Sequence, residues 1–233
     1  MYFSIVIPAH NEEKYIEETL SHIKNLNYPA DQFEALVVEN GSADRTFEVA
    51  GKFAGQNIKI FSSAEKGVSK ARNFGAGKIR PDSDWTVFLD ADTLLKSEFL
   101  NDLNNFLIKN QAKNYAVGTT SLEPVPKTFY AKCWFVFYDI GHWITRASYS
   151  IQILKSSLLK DIKYDEEMTT AEDLKLIKDA LKYGKFFFVK TPTVFTSTRR
   201  FTETGWFKLF FIWTFVASLP VPWQKKFSYK VTR

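Results

Sequence analysis

Four short runs of β-branched and aromatic residues, at 3–7, 33–38, 58–61 and 85–89, alternate with helix-period segments over the first 120 residues. Strand and helix taking turns is the pattern of βαβ units, which pack as a mostly parallel sheet with helices on its faces. Between the runs, Ile16, Leu20 and Ile23 recur at helical spacing; Phe47, Ala50 and Phe53 do so behind the cap candidate Ser42, and Leu100, Leu103 and Leu107 behind Ser97. The expected fold class is α/β. With 233 residues, 45% of them apolar, the chain has enough material for one complete core and too little for two generous domains. The expected division is a domain over residues 1–200 and an appendage over 201–233.

Beyond residue 121 the pattern is less regular. An aromatic stretch at 129–143 precedes a strand-like run at 150–154, a helix over 172–183 and two more strand candidates at 186–189 and 194–196. No internal repeat, low-complexity tract or flexible linker interrupts it. The single cysteine, Cys133, permits no internal disulfide, and the chain opens on a strand-like run, without a basic leader and cleavage site. A cytoplasmic protein is the expectation.

In a parallel α/β sheet, ligands bind beyond the carboxyl ends of the strands. The polar motifs fall there: Pro8, Ala9, His10 and Glu12 after the first run, Glu39-Asn40-Gly41-Ser42 after the second, Lys66-Gly67 shortly after the third, and Asp90-Ala91-Asp92 after the fourth. Four loops are expected to face one crevice.

An isolated Asp-x-Asp is ordinarily a solvated turn. Directly after a central strand, Asp90 and Asp92 in an extended segment point the same way and offer hard oxygens to Mg²⁺ or Mn²⁺ bound to a diphosphate. Glu39 to Ser42 reads as a turn capping the next helix; hydrogen bonding from Glu39 or Asn40 to a nucleobase edge is compatible with that reading. His10 is either an ordinary structural histidine or a contact to base or ribose. Lys66, Gly67, Arg72 and Asn73 lie where cations and free N–H groups meet phosphate, or are plain solvated helix charge. Glu172 and Asp173 open a helix, where the macrodipole welcomes carboxylates. Attack of a hydroxyl on an anomeric carbon also needs a proton acceptor: Asp173 is the candidate base, and Glu172 orients the acceptor or a neighbouring basic residue.

The chain resembles glycosyltransferase family 2, whose members adopt the GT-A fold. The likeness runs through Ile5-Val6-Ile7-Pro8-Ala9-His10-Asn11-Glu12, Val38-Glu39-Asn40-Gly41-Ser42-Ala43-Asp44-Arg45-Thr46, Gly67-Val68-Ser69-Lys70-Ala71-Arg72-Asn73-Phe74-Gly75 and Phe88-Leu89-Asp90-Ala91-Asp92. It implies an inverting transferase that uses a nucleotide sugar, with Pro8, His10, Glu39 and Asn40 around the nucleobase. It further implies Asp90 on the ribose or sugar, Asp92 on the metal and Asp173 of Thr170-Ala171-Glu172-Asp173 as base. Arg199-Arg200-Phe201 is similar to a late basic element that closes on the diphosphate. The family's Gly-Gly-Phe-Asp-Glu turn is replaced here by Ile162-Lys163-Tyr164-Asp165-Glu166, so the acceptor pocket is the least readable part.

Charge is uneven. Residues 199–233 hold seven basic side chains and one acidic, while the rest is nearly balanced. That distribution argues against a nucleic-acid groove and fits an anionic membrane surface. The apolar run at 206–219 is too short for the ~20 residues of a spanning helix. On a helical wheel Thr204, Lys208, Thr214 and Ser218 form a thin polar stripe. Trp206, Trp213, Trp223, Lys225, Lys226 and Lys230 suit an interfacial helix, and the alternative is a helix packed on the sheet. The expected partners are a nucleotide-sugar donor and a glycan or lipid-linked acceptor, met at the inner face of the membrane, with no nucleic acid. Competing classes are a sugar nucleotidyltransferase, which wants a glycine-rich, arginine-bearing loop after the first strand, and a sugar-nucleotide-binding protein without transferase activity.

Overall fold

The computed structural model describes residues 1–148 and 150–227. Its first half is β1 (Phe3–Ala9), α1 (Ile16–Lys24), β2 (Phe33–Asn40), α2 (Thr46–Gly51), β3 (Ile58–Ser63), α3 (Val68–Ala76), β4 (Trp85–Leu89), β5 (Thr93–Leu95) and α4 (Phe99–Lys109). The second is β6 (Tyr115–Thr120), β7 (Glu123–Val125), α5 (Phe129–Thr145), β8 (Ile151–Lys155), α6 (Glu172–Ala180), β9 (Lys185–Val189), β10 (Val194–Ser197), α7 (Arg199–Thr204), α8 (Trp206–Ser218) and α9 (Val221–Gln224).

Seven strands form one sheet in the order β3-β2-β1-β4-β8-β6-β9. β1 runs parallel to both β2 and β4, whereas β8 is antiparallel to β4 and to β6. Every residue of β1, β2 and β4 is buried, as expected of strands covered on both faces. Alternation along β1 sends Phe3, Ile5 and Ile7 into one core with α1, α4 and α5, and Val6 into a second with Leu176 and Ile177 of α6. The strand order reverses at β1 and β4, and the loops beyond their carboxyl ends make the crevice.

α3 reaches the sheet through Gly75. A Cβ there would stand 2.5 Å from Val6 Cγ1, so only glycine permits this approach. Arg72, three residues earlier on the same helix face, is thereby pressed into the interior at 3% exposure.

A three-stranded sheet, β5-β10-β7, completes the domain. Thr93 pairs with Thr196 across β5 and β10, which sets the residue before one, Asp92, near the residues after the other, Arg199 and Arg200.

Several local expectations are corrected. Ser42 does not cap α2: the helix begins at Thr46, whose N–H donates to Asp44 Oδ1 at 3.0 Å, while Ser42 Oγ accepts from Asn11 N–H. Ser97 likewise stands one residue before the N-cap Glu98 of α4. In α2 the buried face is Thr46, Val49 and Ala50, and Phe47 is exposed. The helix expected to run to Tyr183 ends at Ala180. The thin stripe through Thr204 is broken because Gly205, at φ +97°, separates α7 from α8. Phe201 and Leu209 are buried in the main core, so the start of the C-terminal segment packs on the domain while Phe207, Phe211 and Phe215 remain exposed. No helix among the described residues is long and apolar enough to cross a membrane. Lys230 lies outside the described residues.

Candidate active site

The loops after β1, β2 and β4 meet the N-terminus of α6 and the start of α7 around a cleft of about 250 Å³. Of the residues singled out in the sequence, Pro8, His10, Glu12, Asn40, Arg72, Asp90, Ala91, Asp92, Glu172, Asp173, Arg199 and Arg200 line it. Ala9, Glu39, Lys66 and Gly67 do not.

Glu39 is buried. Its carboxylate accepts from Ser42 N–H and, at 2.8 Å, from the Ser62 hydroxyl. It therefore stiffens the turn at Gly41, whose φ of +73° suits glycine. Lys66 and Gly67 are exposed, and the Lys66 chain lies against that turn, its Cγ 3.1 Å from where a Gly41 Cβ would be. The His10 ring meets the Asn40 carbonyl through Nδ1 at 2.9 Å. A carbonyl only accepts, so Nδ1 carries the proton.

The Asp-x-Asp segment is a turn, not the extended run expected, closed by Thr93 N–H donating to the Asp90 carbonyl at 3.0 Å. Each carboxylate has its own arginine. Arg72 donates to Asp90 at 2.9 Å and to Glu172 at 3.0 Å, tying the β4 loop to α6 beneath the cleft, with its guanidinium 5.0 Å from the Tyr164 ring centroid. Burial opposes its charge, but Tyr164, Asp90, Glu172 and Asp173 outweigh that and hold the proton more firmly than usual. Arg199 grips both Glu12 oxygens at 2.9 and 3.0 Å and reaches Asp92 at 3.1 Å. Arg200 forms no ion pair among the described residues, and its charge acts on the Asp90 carboxylate in the same cleft lining.

Burial raises the Asp90 carboxyl above its usual range, and Arg72 pulls the other way. Asp173 is raised as well, up to about 7, by burial and by repulsion from Glu172, with Arg72 opposing. Its Oδ1 accepts from Leu174 N–H at 2.8 Å, as befits the first turn of α6. Ala171, the N-cap, is in the left-handed region at φ +60°, a strained conformation for alanine.

The sequence reading missed much of the remaining wall. His142 of α5 lines the cleft, and burial pushes its imidazole down to about 4. Ser148, Val216 and Ala217 line it as well, together with Thr170, named only as part of the Glu172-Asp173 motif, and Trp213, expected at a membrane interface and found on the cleft wall instead. The aromatic stretch at 129–143 and the apolar run at 206–219 were the available signals, and neither says which side faces the cleft.

Among the described residues no group of three or more His, Cys, Asp or Glu side chains is placed to hold a metal ion. The acidic pair alone still fits a hard dication that keeps waters and takes phosphate oxygens, since such an ion needs one or two carboxylates from the protein. The Asp92 side chain, 17% exposed, is accessible for that role.

The family described as glycosyl transferase family 2 matches residues 4–178. The poly(ribitol-phosphate) β-N-acetylglucosaminyltransferase TarS of Staphylococcus aureus is 25% identical over 211 residues, covering 86% of this chain and 36% of that protein. Its crystal structure with UDP-GlcNAc superposes with a TM-score of 0.70 at 22% identity, over 85% of this chain and 59% of that one. A dolichyl N-acetyl-α-D-glucosaminyl phosphate 3-β-D-2,3-diacetamido-2,3-dideoxy-β-D-glucuronosyltransferase of Methanococcus voltae is 26% identical, over 84% of this chain and 66% of that protein. A Pyrobaculum calidifontis mannosyltransferase solved with GDP-Man and Mn²⁺ gives a TM-score of 0.64 at 19% identity, over 84% of this chain and 56% of that one. The chain thus spans about a third of the length of TarS, and the structural likenesses establish the GT-A fold.

Proposed function

The chain belongs to glycosyl transferase family 2, and from that premise we propose that it moves a sugar, with inversion, from a nucleotide diphosphate sugar to a hydroxyl of a glycan or lipid-linked acceptor. UDP is the favoured nucleotide, supported by the likeness to TarS, which was crystallised with UDP-GlcNAc. A lipid-linked acceptor draws support from the relative named for a dolichyl phosphate substrate.

One observation carries the reading: a carboxyl poised near neutrality, Asp173, lines the same cleft as the Asp90–Asp92 pair, with Arg72 bonded to both Asp90 and Glu172. In the proposed reaction the acceptor oxygen bonds to the anomeric carbon as the bond to the diphosphate oxygen breaks, and Asp173 takes the hydroxyl proton. A single displacement inverts the centre. Glu172 orients through Arg72. Pro8, His10 and Asn40 hold the base and ribose; Glu39 and Lys66 shape that loop from outside the cleft. Arg200 takes the diphosphate, and Arg199 keeps Glu12 and Asp92 in place. Asp92, with Asp90 beside it, would hold Mg²⁺ or Mn²⁺, which when bound neutralises charge on the diphosphate leaving group.

We further place the protein at the inner face of a membrane as a peripheral component, on the aromatic and basic character of its C-terminal segment. Calorimetry with UDP-GlcNAc tests the donor reading. Wild type binds more tightly with Mn²⁺ than without, and Asp92→Ala loses the difference; an Asp92→Ala protein with unchanged Mn²⁺-dependent affinity overturns it.

A further inference from the structure

Much of the outward face of α5 is left uncovered by the described fold. Its inner side, Ala131, Phe135 and Tyr138, is buried, while Val136, Phe137, Ile140, Trp143 and Ile144 are between 48% and 65% exposed. α8 lies alongside, with Phe137 and Phe210 rings 5.4 Å apart and Trp134 and Phe207 4.9 Å apart. Its own Phe207, Phe211 and Phe215 point outward at 56–66% exposure. Between the two helices runs a purely apolar groove of about 400 Å³ that includes Cys133. A continuous surface of this kind marks an interaction site on an otherwise polar protein.

The charges identify the partner. Apart from apolar and uncharged side chains, the exposed residues of α5 and its C-cap and of α8 are Lys132, Arg146 and Lys208, with Lys226 exposed just beyond α9. No exposed acidic residue sits on either helix. An apolar face whose two helices expose cations and no acid, with Asp139 half-buried on α5 and the exposed Glu203 before α8 as the nearby carboxylates, and with Trp143 and Trp223 exposed, complements hydrocarbon beneath anionic headgroups. At 17 and 13 residues, α5 and α8 fall short of the length that spans a bilayer, and helices of that kind suit the plane of the surface.

We propose that α5 and α8 together form a docking face that seats in one leaflet of an anionic bilayer. The membrane association proposed above rested on the C-terminal segment; this inference extends it to a helix some 70 residues earlier in the chain. The same two helices wall the cleft, through His142 on α5 and Trp213, Val216 and Ala217 on α8. Seating them in lipid brings the cleft to the membrane surface, where a hydroxyl carried on a lipid is met.

Cys133, the chain's only cysteine, is exposed in the groove and reports its occupancy. With two-to-one phosphatidylcholine–phosphatidylglycerol vesicles, its reaction with a water-soluble maleimide slows roughly tenfold or more as the groove leaves water. Phe137→Asp, which leaves the C-terminal segment intact, abolishes both this protection and co-sedimentation with the vesicles. Val136→Asp takes its place where circular dichroism shows that Phe137→Asp has not folded. Labelling that is equally fast with and without vesicles overturns the proposal, as does vesicle binding by a folded variant at the wild-type level. A lipid-free dimer that Phe137→Asp dissociates would make a second copy the occupant and overturn it too. UDP-GlcNAc calorimetry on the same variants reads the transferase assignment separately, because neither residue lines the cleft.

Discussion

Arg72 and Asp90 are joined at 2.9 Å although one lies on a helix and the other in the turn after a central strand. The same guanidinium holds Glu172 at 3.0 Å, so one buried cation ties the loop beyond β4 to the first turn of α6. Arg72→Met leaves two carboxylates without their counter-charge, and removing one partner of a buried pair costs about 3–5 kcal/mol. Urea unfolding should show a loss of that order, with Arg72→Lys in between because an ammonium cannot fork to both acids.

The proton on Asp173 sets a pH dependence. Its carboxyl is raised to about 7, so below that pH the proposed base is already protonated. The rate of UDP release from UDP-GlcNAc should therefore climb as pH rises and level off above about 7. The stability contribution runs the other way. The folded state holds this proton more tightly than the unfolded chain, so the contribution is full below the ordinary carboxylate range and is lost as pH rises through about 7. Comparing the unfolding midpoints of wild type and Asp173→Asn across that window isolates it.

Ala171 carries strain at the entrance to α6. Its φ of +60° costs an L-residue about 1 kcal/mol that glycine does not pay. Ala171→Gly should therefore be stabilising or neutral, in contrast to the usual loss on introducing glycine. Calorimetric unfolding reads this directly, and a clear drop in Tm would show that the left-handed N-cap is not a source of strain.

The parallel half of the sheet was legible because Phe3, Ile5, Phe33, Val37, Val87 and Phe88 sit in short strands buried on both faces, where local pattern and tertiary demand agree. The loops gathering Pro8, His10, Asn40, Asp90 and Asp92 followed from strand polarity alone. What was not legible depends on long-range partners. That Arg72 answers to Asp90 and Glu172 rather than facing open solvent rests on Gly75 letting α3 close on Val6. That Arg199 meets Asp92 rests on the β5–β10 register. The caps failed at Ser42 and Ser97 because side-chain oxygens of Asp44 and loop contacts took over the donors there. The role of α5 was hidden because its sequence is apolar nearly all round, and no period separates the side facing the cleft from the side facing outward.

The most direct measurement compares Asp173→Asn with wild type in two assays, UDP release from UDP-GlcNAc with Mn²⁺ and calorimetric binding of the same donor. Loss of a general base lowers the rate by roughly a hundredfold or more, and the account predicts that fall with donor affinity kept within a few-fold. A variant that releases UDP at the wild-type rate would contradict it.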